Sequence, residues 1–355
     1  MSKHSPRSTI ADVARYAGVS KATVSRFLNH RETLLSPEIA RRVEAAVAEL
    51  KYIPSPMAQA LKRGRSRLIG LVVADITNPY SVAVLRGAEQ ACREAGYLVM
   101  LFNLGNESER ESAGLRALSS YKVEGFILNT MGHDAGAVME TARQGKPIVL
   151  VDRQHDGLDV DLVSLDNQHA MTVSAGHLLE AGYRELMLVT EPMGKVSSRI
   201  ERVQAFNDFV RSHAGEASGS CLETLAEDQA GLIAALRALR ARAAARSPSG
   251  GAAGVPAVIA GNAVVTLRVV EAIAQLGWRL GQDIGLLGID DTPWIPYIGP
   301  GISAVSQPTG DLGRLAARCL MQRLQGMNGP ARKMRLPGTL IVRGSTQFGH
   351  MARTL

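Results

Sequence analysis

Apolar runs between residues 68 and 348 end repeatedly on side chains able to hydrogen-bond a polyol. Asp75, Thr77, Asn78 and Tyr80 follow LIGLVVA, Asn129 ends VEGFILN, and Asp152 and Arg153 close PIVLVDR. Asn262 follows AVIAG, Asp290 and Asp291 end IGLLGIDD with Trp294 just beyond, and Arg199 and Arg202 follow ELMLVTE. Carboxylates and amides exchange hydrogen bonds with hydroxyls. Arginine grips a carboxylate through parallel N–H groups, and an aromatic ring stacks on the C–H face of a sugar. The set has the chemistry of a sugar or sugar-acid pocket. A strand-end Asp or Asn also caps the helix that follows; Asp166-Asn167 is read that way, and Asp291 as a turn or hinge residue.

A second chemistry lies at the other end of the chain. The net charge is +7, yet residues 1–67 hold 13 lysines and arginines against 5 acids, while the remainder holds 27 against 28. Positive charge gathered in one small segment is the footprint of phosphate-backbone binding.

Elements must position both sets. Thr9 and Asp12 form a capping-box pattern ahead of Ile10, Val13 and Ala14 at helical spacing, and Gly18 stops that helix. Ser20 caps a second helix that buries Val24, Phe27 and Leu28 and turns Lys21, Ala22 and Arg26 outward. Two short helices joined through Ala17-Gly18-Val19 match a helix-turn-helix. Ser36-Pro37-Glu38 starts a third helix to about Leu50, whose Ile39, Val43, Ala46, Val47 and Leu50 close a small core. Ser55-Pro56 repeats the cap-plus-proline start, but Met57, Ala58, Ala60 and Leu61 give too little apolar surface for a lone helix, which therefore needs a partner.

From Leu68 onward, apolar runs alternate with helical patterns in two series. LIGLVVA, YLVMLFN, VEGFILN and PIVLVD form the first; LVSLD, ELMLVTE, AVIAG and IGLLGID form the second. Continuous apolar strands separated by helices mark parallel sheets covered on both faces. Ligands in such folds bind beyond the carboxyl ends of the strands, where the polar residues stand. Residues 237–254, RALRARAAARSPSGGAAG, read as a helix giving way to a flexible surface insertion.

ADVARYAGVSKATVSRFLN, LSPEIARRVEAAVAEL and KYIPSPMAQAL, in that order, resemble the N-terminal signature of the lac-repressor (LacI/GalR) family. DITNPY, PIVLVDR, SLDNQHA, SRIERVQAF, GIDDTPW and AVSQPT extend the resemblance over almost the whole chain. It implies an N-terminal all-α helix-turn-helix domain plus an α/β periplasmic-binding-protein-like body of two doubly wound parallel-sheet lobes. The implied boundaries are 1–53 for the head, 54–67 for a hinge helix and linker, 68–348 for the effector-binding and dimerisation body, and 349–355 for a tail. DNA contacts are then expected from Thr9, Ser20, Lys21, Ala22, Thr23, Ser25 and Arg26 in the head. Ser55, Ala58 and Leu61 join them from the hinge, Leu61 as a wedge in the minor groove. Lys21 and Arg26 supply hydrogen-bond readout, and Ala22 only an apolar contact. Pro56 departs from the polar residue common there.

By motif position Asn78, Asp152, Arg202, Asn262, Asp290 and Gln307 correspond to common effector contacts of the family. Asp75, Tyr80, Asn129, Arg153, Arg199 and Trp294 complete the expected pocket. Arg202 ranks above Arg199 because the family's ligand arginine lies three residues before a small-aromatic pair, here Ala205-Phe206. Ala263 stands where many members carry aspartate, and with three arginines nearby this favours a carboxylate ligand, as in the ketogluconate-type branch.

The function implied is a regulator, expected to act as a repressor, that binds a palindromic double-stranded DNA operator as a homodimer under control of a sugar or sugar-acid effector. A periplasmic-type sugar-binding protein and a sugar-processing enzyme are the alternatives. MSKHSPRST has no apolar stretch of a signal peptide and no run of about 18 uncharged apolar residues occurs, so a cytoplasmic protein without membrane contact is expected. No P-loop, G-x-S-x-G or post-strand G-x-G-x-x-G appears, which argues against an enzyme. No cofactor or metal is expected, because Cys92, Cys221 and Cys319 lack metal spacing and are read as buried thiols. Nothing after Gln347 shows heptads for a tetramerising coiled coil.

Overall fold

A computed structural model describes residues 8–28, 35–53, 65–107, 109–130, 135–246 and 254–348. The chain forms two compact units, Met1–Arg67 and Leu68–Leu355. The expected hinge residues Ser55, Ala58 and Leu61, the Ser/Gly/Pro part of the insertion and the tail lie outside the described residues.

In the first unit, local chemistry sets each helix end. The Thr9 hydroxyl donates to Asp12 at 2.7 Å while the Thr9 amide donates to the same carboxylate at 3.0 Å, opening α1 (Ile10–Ala17). Gly18 closes α1 at φ +63°, in the left-handed region where a side chain is strained, and its N–H returns to the Ala14 and Arg15 carbonyls. The Ser20 hydroxyl accepts the Thr23 amide at 3.1 Å at the head of α2 (Lys21–Leu28). Ser36 accepts the Ile39 amide at 3.4 Å, with Pro37 at the first position of α3 (Pro37–Glu49). Val13, Ala14, Ala17, Val24, Val43 and Ala46 form the buried core, and Phe27, Leu28, Ile39, Val47 and Leu50 pack around it half-buried.

The second unit carries two six-stranded sheets. The first takes β1 (Leu68–Val73), β2 (Leu98–Asn103), β3 (Gly125–Asn129), β4 (Ile148–Val151), β5 (Asp161–Leu165) and β11 (Lys333–Leu336), in the spatial order β11-β5-β4-β3-β1-β2, all parallel. The second takes β6 (Glu185–Thr190), β7 (Ser218–Glu223), β8 (Ala257–Ala260), β9 (Gly285–Ile289), β10 (Ser303–Ser306) and β12 (Thr339–Ile341). Its order is β12-β10-β9-β8-β6-β7, parallel except for β12. Strands β3, β4, β6, β8 and β9 are buried along their length, which is why they read as unbroken apolar runs.

Eight helices cover these sheets among the described residues: α4 (Pro79–Glu94), α5 (Arg110–Ser120), α6 (Ala135–Arg143), α7 (Asn167–Glu180), α8 (Ser197–Ser212), α9 (Gln229–Arg246), α10 (Ala263–Gln275) and α11 (Thr309–Leu324). The chain passes between the lobes three times, after β5, after β10 and after β11. α11, reached from the second sheet, packs in the first lobe's core with Leu312, Ala316, Ala317 and Leu320 beside Ile69, Leu71 and Val84. Gly313 permits this. A Cβ there would lie 2.1 Å from the Val84 carbonyl oxygen on α4, so the two helices meet backbone to backbone.

The two-series expectation needs one correction. LVSLD, assigned to the second series, is β5 and belongs to the first sheet, paired with β4 from Val149↔Asp161 to Val151↔Val163. A buried apolar strand does not encode which sheet receives it. The thiols need another: Cys92 and Cys319 are buried, but Cys221 is exposed on the edge strand β7. Among the described residues no helix is long and apolar enough to cross a membrane, and no group of His, Cys, Asp and Glu could hold a metal ion.

Candidate functional site

The lobes meet near strand ends, where Asp152 after β4 bonds Ser198 at the start of α8, and on each lobe an aspartate beyond a strand takes a left-handed backbone. Asp152 after β4 has φ +69° and Asp290 after β9 has φ +86°. Non-glycine residues held there store strain, a mark of functional positions. Asp290 is buried, accepting the Ala263 amide at 3.2 Å and the Gln307 side-chain amide at 2.7 Å. Burial pushes its carboxyl up, against the pull of Arg202 and these two donors. Asp152 is equally buried; its Oδ2 accepts the Ser198 hydroxyl at 3.1 Å and lies 3.3 Å from Arg153 Nε.

Arg202, on α8, spans the space between these acids. Its Nε donates to Asn167 Oδ1 at 2.8 Å, its Nη1 to the Gly261 carbonyl at 2.7 Å, and its Nη2 stands 3.9 Å from Asp152 Oδ1. Tyr80, on α4, comes in from the first lobe. Burial first, then the Asp152 and Asp290 carboxylates, push its hydroxyl well above its ordinary range, so it stays a neutral phenol. Arg153 and Arg202 act on the same hydroxyl, so charged groups of both lobes lie in its neighbourhood. Among the described residues, Tyr80 Oη, Asp152 Oδ1 and Gln307 Oε1 are buried without a hydrogen-bond partner. Such atoms are costly unless something pairs with them. A hydroxyl-rich molecule supplies donors to the two acceptors and either role to the phenol.

Arg199 is engaged elsewhere. Its Nη2 donates to Glu191 Oε2 at 2.5 Å and its Nη1 to the Pro192 carbonyl at 2.8 Å. Asn262 donates to the same Glu191 oxygen at 2.6 Å while its own carbonyl caps α10 through the Val265 amide at 2.8 Å. Arg153 Nη1 donates to the Thr130 carbonyl at 3.2 Å. The lobes also touch directly, since the Gln154 amide donates to the Ser197 hydroxyl at 2.8 Å beside the Ser198–Asp152 bond.

The remaining expected pocket residues have local partners. Asp75 accepts from the Thr77 amide, the Thr77 hydroxyl and Asn106 at 2.8–2.9 Å, Asn78 caps α4 by accepting the Tyr80 amide at 3.0 Å, and buried Asn129 ties β3 to β4 through the Val151 carbonyl at 3.1 Å. Trp294 packs half-buried on the second lobe's core. Asp291 pairs with Arg343 at 2.8 Å. Asp166 caps α7 as expected, accepting the His169 amide at 2.9 Å. Asn167 does not: it is buried and orients Arg202, its own amide donating to Glu201 at 2.8 Å.

In the first unit Lys21, Ala22 and Arg26 stand exposed on α2. The Ser20 and Thr23 hydroxyls bond each other at 2.9 Å, and Thr9 is committed to Asp12. Ser25, named among the expected DNA contacts, is buried, because it follows Val24 onto the inner face of the helix. Arg42, which the helix pattern did not single out, clamps the turn by donating to the Ala17 and Gly18 carbonyls at 2.6 and 3.3 Å. Glu191 and Ser198 were missed as well. Glu191 directly follows ELMLVT, so the strand-end rule already pointed at it.

Residues 9–55 match the model of the bacterial regulatory proteins of the lacI family, and residues 175–346 that of a periplasmic binding protein-like domain. The HTH-type transcriptional regulator PtxS of Pseudomonas aeruginosa is 46% identical over 340 residues, 96% of each chain. The HTH-type transcriptional regulator KdgR of Bacillus subtilis is 38% identical over 352 residues, 97% of this chain and 99% of KdgR. A lac repressor dimer bound to operator and the anti-inducer ONPF superposes with a TM-score of 0.80 at 26% identity, covering 96% of this chain and 99% of that one. The complex of the regulator CelR with cellobiose has a TM-score of 0.66 at 25% identity over 96% of this chain and all of the other.

Proposed function

The chain belongs to the lacI family of bacterial regulatory proteins, a DNA-binding transcription regulator under ligand control, and from that premise we propose that its effector is a sugar acid bound between the two lobes. The observation that carries this reading is the meeting of Asp152 from one lobe with Ser198 and Arg202 from the other, beside Tyr80, Arg153, Asp290 and Gln307. Tyr80, Asp152, Asp290 and Gln307 serve the hydroxyls; the guanidiniums serve the carboxylate. The protein acts in the cytoplasm as a homodimeric repressor and not as an enzyme, in keeping with relatives named as regulators and with the operator-bound dimer it resembles. Lys21 and Arg26 read base edges, Ala22 makes an apolar contact, and Ser55, Ala58 and Leu61 contact the minor groove.

Effector acts by preferring one separation of the lobes, and that preference shifts the pairing of the hinge segments at residues 54–67. A test starts by selecting duplexes from a random pool with full-length protein, then measures binding of the selected palindrome by fluorescence anisotropy with D-gluconate, ketogluconate or D-glucose. Salt-sensitive, sequence-selective binding that an acid shifts by about tenfold or more, and D-glucose does not, is expected. A shift by the neutral sugar alone would refute the acid assignment.

A further inference from the structure

We propose that Glu191 is a built-in carboxylate that occupies the anion seat of the cleft, so that an acidic effector binds by displacing it. The inference rests on the sugar-acid reading above. Two donors expected to meet ligand, Arg199 and Asn262, converge on one oxygen, Glu191 Oε2, at 2.5 and 2.6 Å. That is the geometry of a carboxylate held between a guanidinium and an amide. The seat borders the same cleft, since Ser197 and Ser198, next to Arg199, bond Gln154 and Asp152 of the facing lobe.

Charge balance makes displacement necessary. Three guanidiniums, Arg153, Arg199 and Arg202, face three carboxylates, Asp152, Glu191 and Asp290. Among the described residues, an effector carboxylate added to this set finds no spare positive charge unless a resident acid leaves. Asp152 and Asp290 are pinned by neighbouring donors and are only 8% and 7% exposed. The Glu191 side chain is 27% exposed and can rehydrate when it swings away, so its departure costs least. Arg199 stays behind, anchored by the Pro192 carbonyl on an 11% exposed side chain. A neutral sugar has nothing to offer Arg199 in exchange and leaves the pair intact. Glu191 therefore sets both the affinity threshold and the preference for acids.

Calorimetry on full-length wild type, E191Q, R199Q and the E191Q/R199Q double variant, titrated with D-gluconate and with D-glucitol, separates this from a purely structural clasp. The expected result is gluconate binding about tenfold tighter in E191Q, about tenfold weaker in R199Q and near wild type in the double variant, with glucitol affinity unmoved by E191Q. Wild type that binds gluconate while E191Q binds it equally or less tightly overturns displacement but spares the sugar-acid reading. Wild type that gives heat with glucitol and none with gluconate overturns both. If thermal melting shows E191Q unfolded, a crystal structure of the wild-type gluconate complex decides. Glu191 turned away from Arg199 supports the proposal, and Glu191 still on Arg199 and Asn262 refutes it.

Discussion

In the head, Lys21 and Arg26 stand exposed on α2 while Asp12 is spent on capping; in the cleft, Arg153, Arg199 and Arg202 each lie within 3.9 Å of a carboxylate that the protein itself supplies. The two regions meet their partners on different terms. A surplus of positive charge attracts a polyanion over long range and loses its grip as salt rises. In a neutralised cleft an added carboxylate binds by exchange, so its affinity is the difference between two sets of similar hydrogen bonds. Small changes in such a difference decide selectivity, whereas changes in the head alter affinity or base preference one contact at a time.

The largest expected effect concerns neither ligand. Asp161 is buried at the start of β5, held by Arg323 at 2.8 Å and Arg332 at 2.7 Å. Asp161→Asn is expected to cost about 3–5 kcal/mol of body stability, read by thermal or urea unfolding, because it strands two arginines. Burial alone would raise this carboxyl, but hydrogen bonds from both arginines win and hold it well below its ordinary 3.8. The unfolded chain thus binds the proton more readily. The stabilisation is complete above that ordinary value and is lost as pH falls below it, a loss that acid unfolding of the wild type detects and that Asp161→Asn lacks. A pH profile identical in the two proteins would contradict a fixed ion cluster and blur the contrast with the exchangeable pairs of the cleft.

Next comes Arg202→Ala, which removes bonds to Asn167 and Gly261 and leaves Asp152 with less compensating charge. Gluconate affinity is expected to fall by about 2–5 kcal/mol in a calorimetric titration. An unchanged affinity would place the ligand elsewhere. Arg26→Ala should lower discrimination at one base position by about 1–3 kcal/mol, measured by anisotropy against operator variants; undiminished selectivity would remove Arg26 from the reading surface. Smallest is Thr9→Ala, expected to cost about 1 kcal/mol of stability through the lost cap. The slope of log affinity against log salt should stay as it was. A shallower slope would move Thr9 from capping to phosphate contact.

The head was legible because its signals are local. Thr9, Gly18, Ser20 and Ser36-Pro37 each act within four residues, and each performs in the structure the capping or stopping job its type suggests. The body was legible as alternating buried strands and helices, but not in its allocation. β5 reads like a strand of either lobe, β7 (SGSCLE) is a half-exposed edge strand without an apolar run, and β11 and β12 are short crossings near the chain's end. In the cleft, the strand-end reading pointed at Asp152 and Asp290 but passed over Glu191 and Ser198 and gave no mutual pairing. Neutralisation of Arg199 by Glu191 depends on two side chains eight positions apart meeting across a loop, which no periodicity encodes.

Allosteric coupling is the claim on which the two regions stand or fall together, and reciprocity tests it most directly. Calorimetry would give the Kd of full-length protein for D-gluconate alone and again with the selected operator in saturating excess. Anisotropy would give the Kd for operator with and without saturating gluconate. Both ratios are expected to differ from one by about tenfold or more and to agree with each other. An operator affinity unmoved by gluconate that fills the cleft would contradict the coupling.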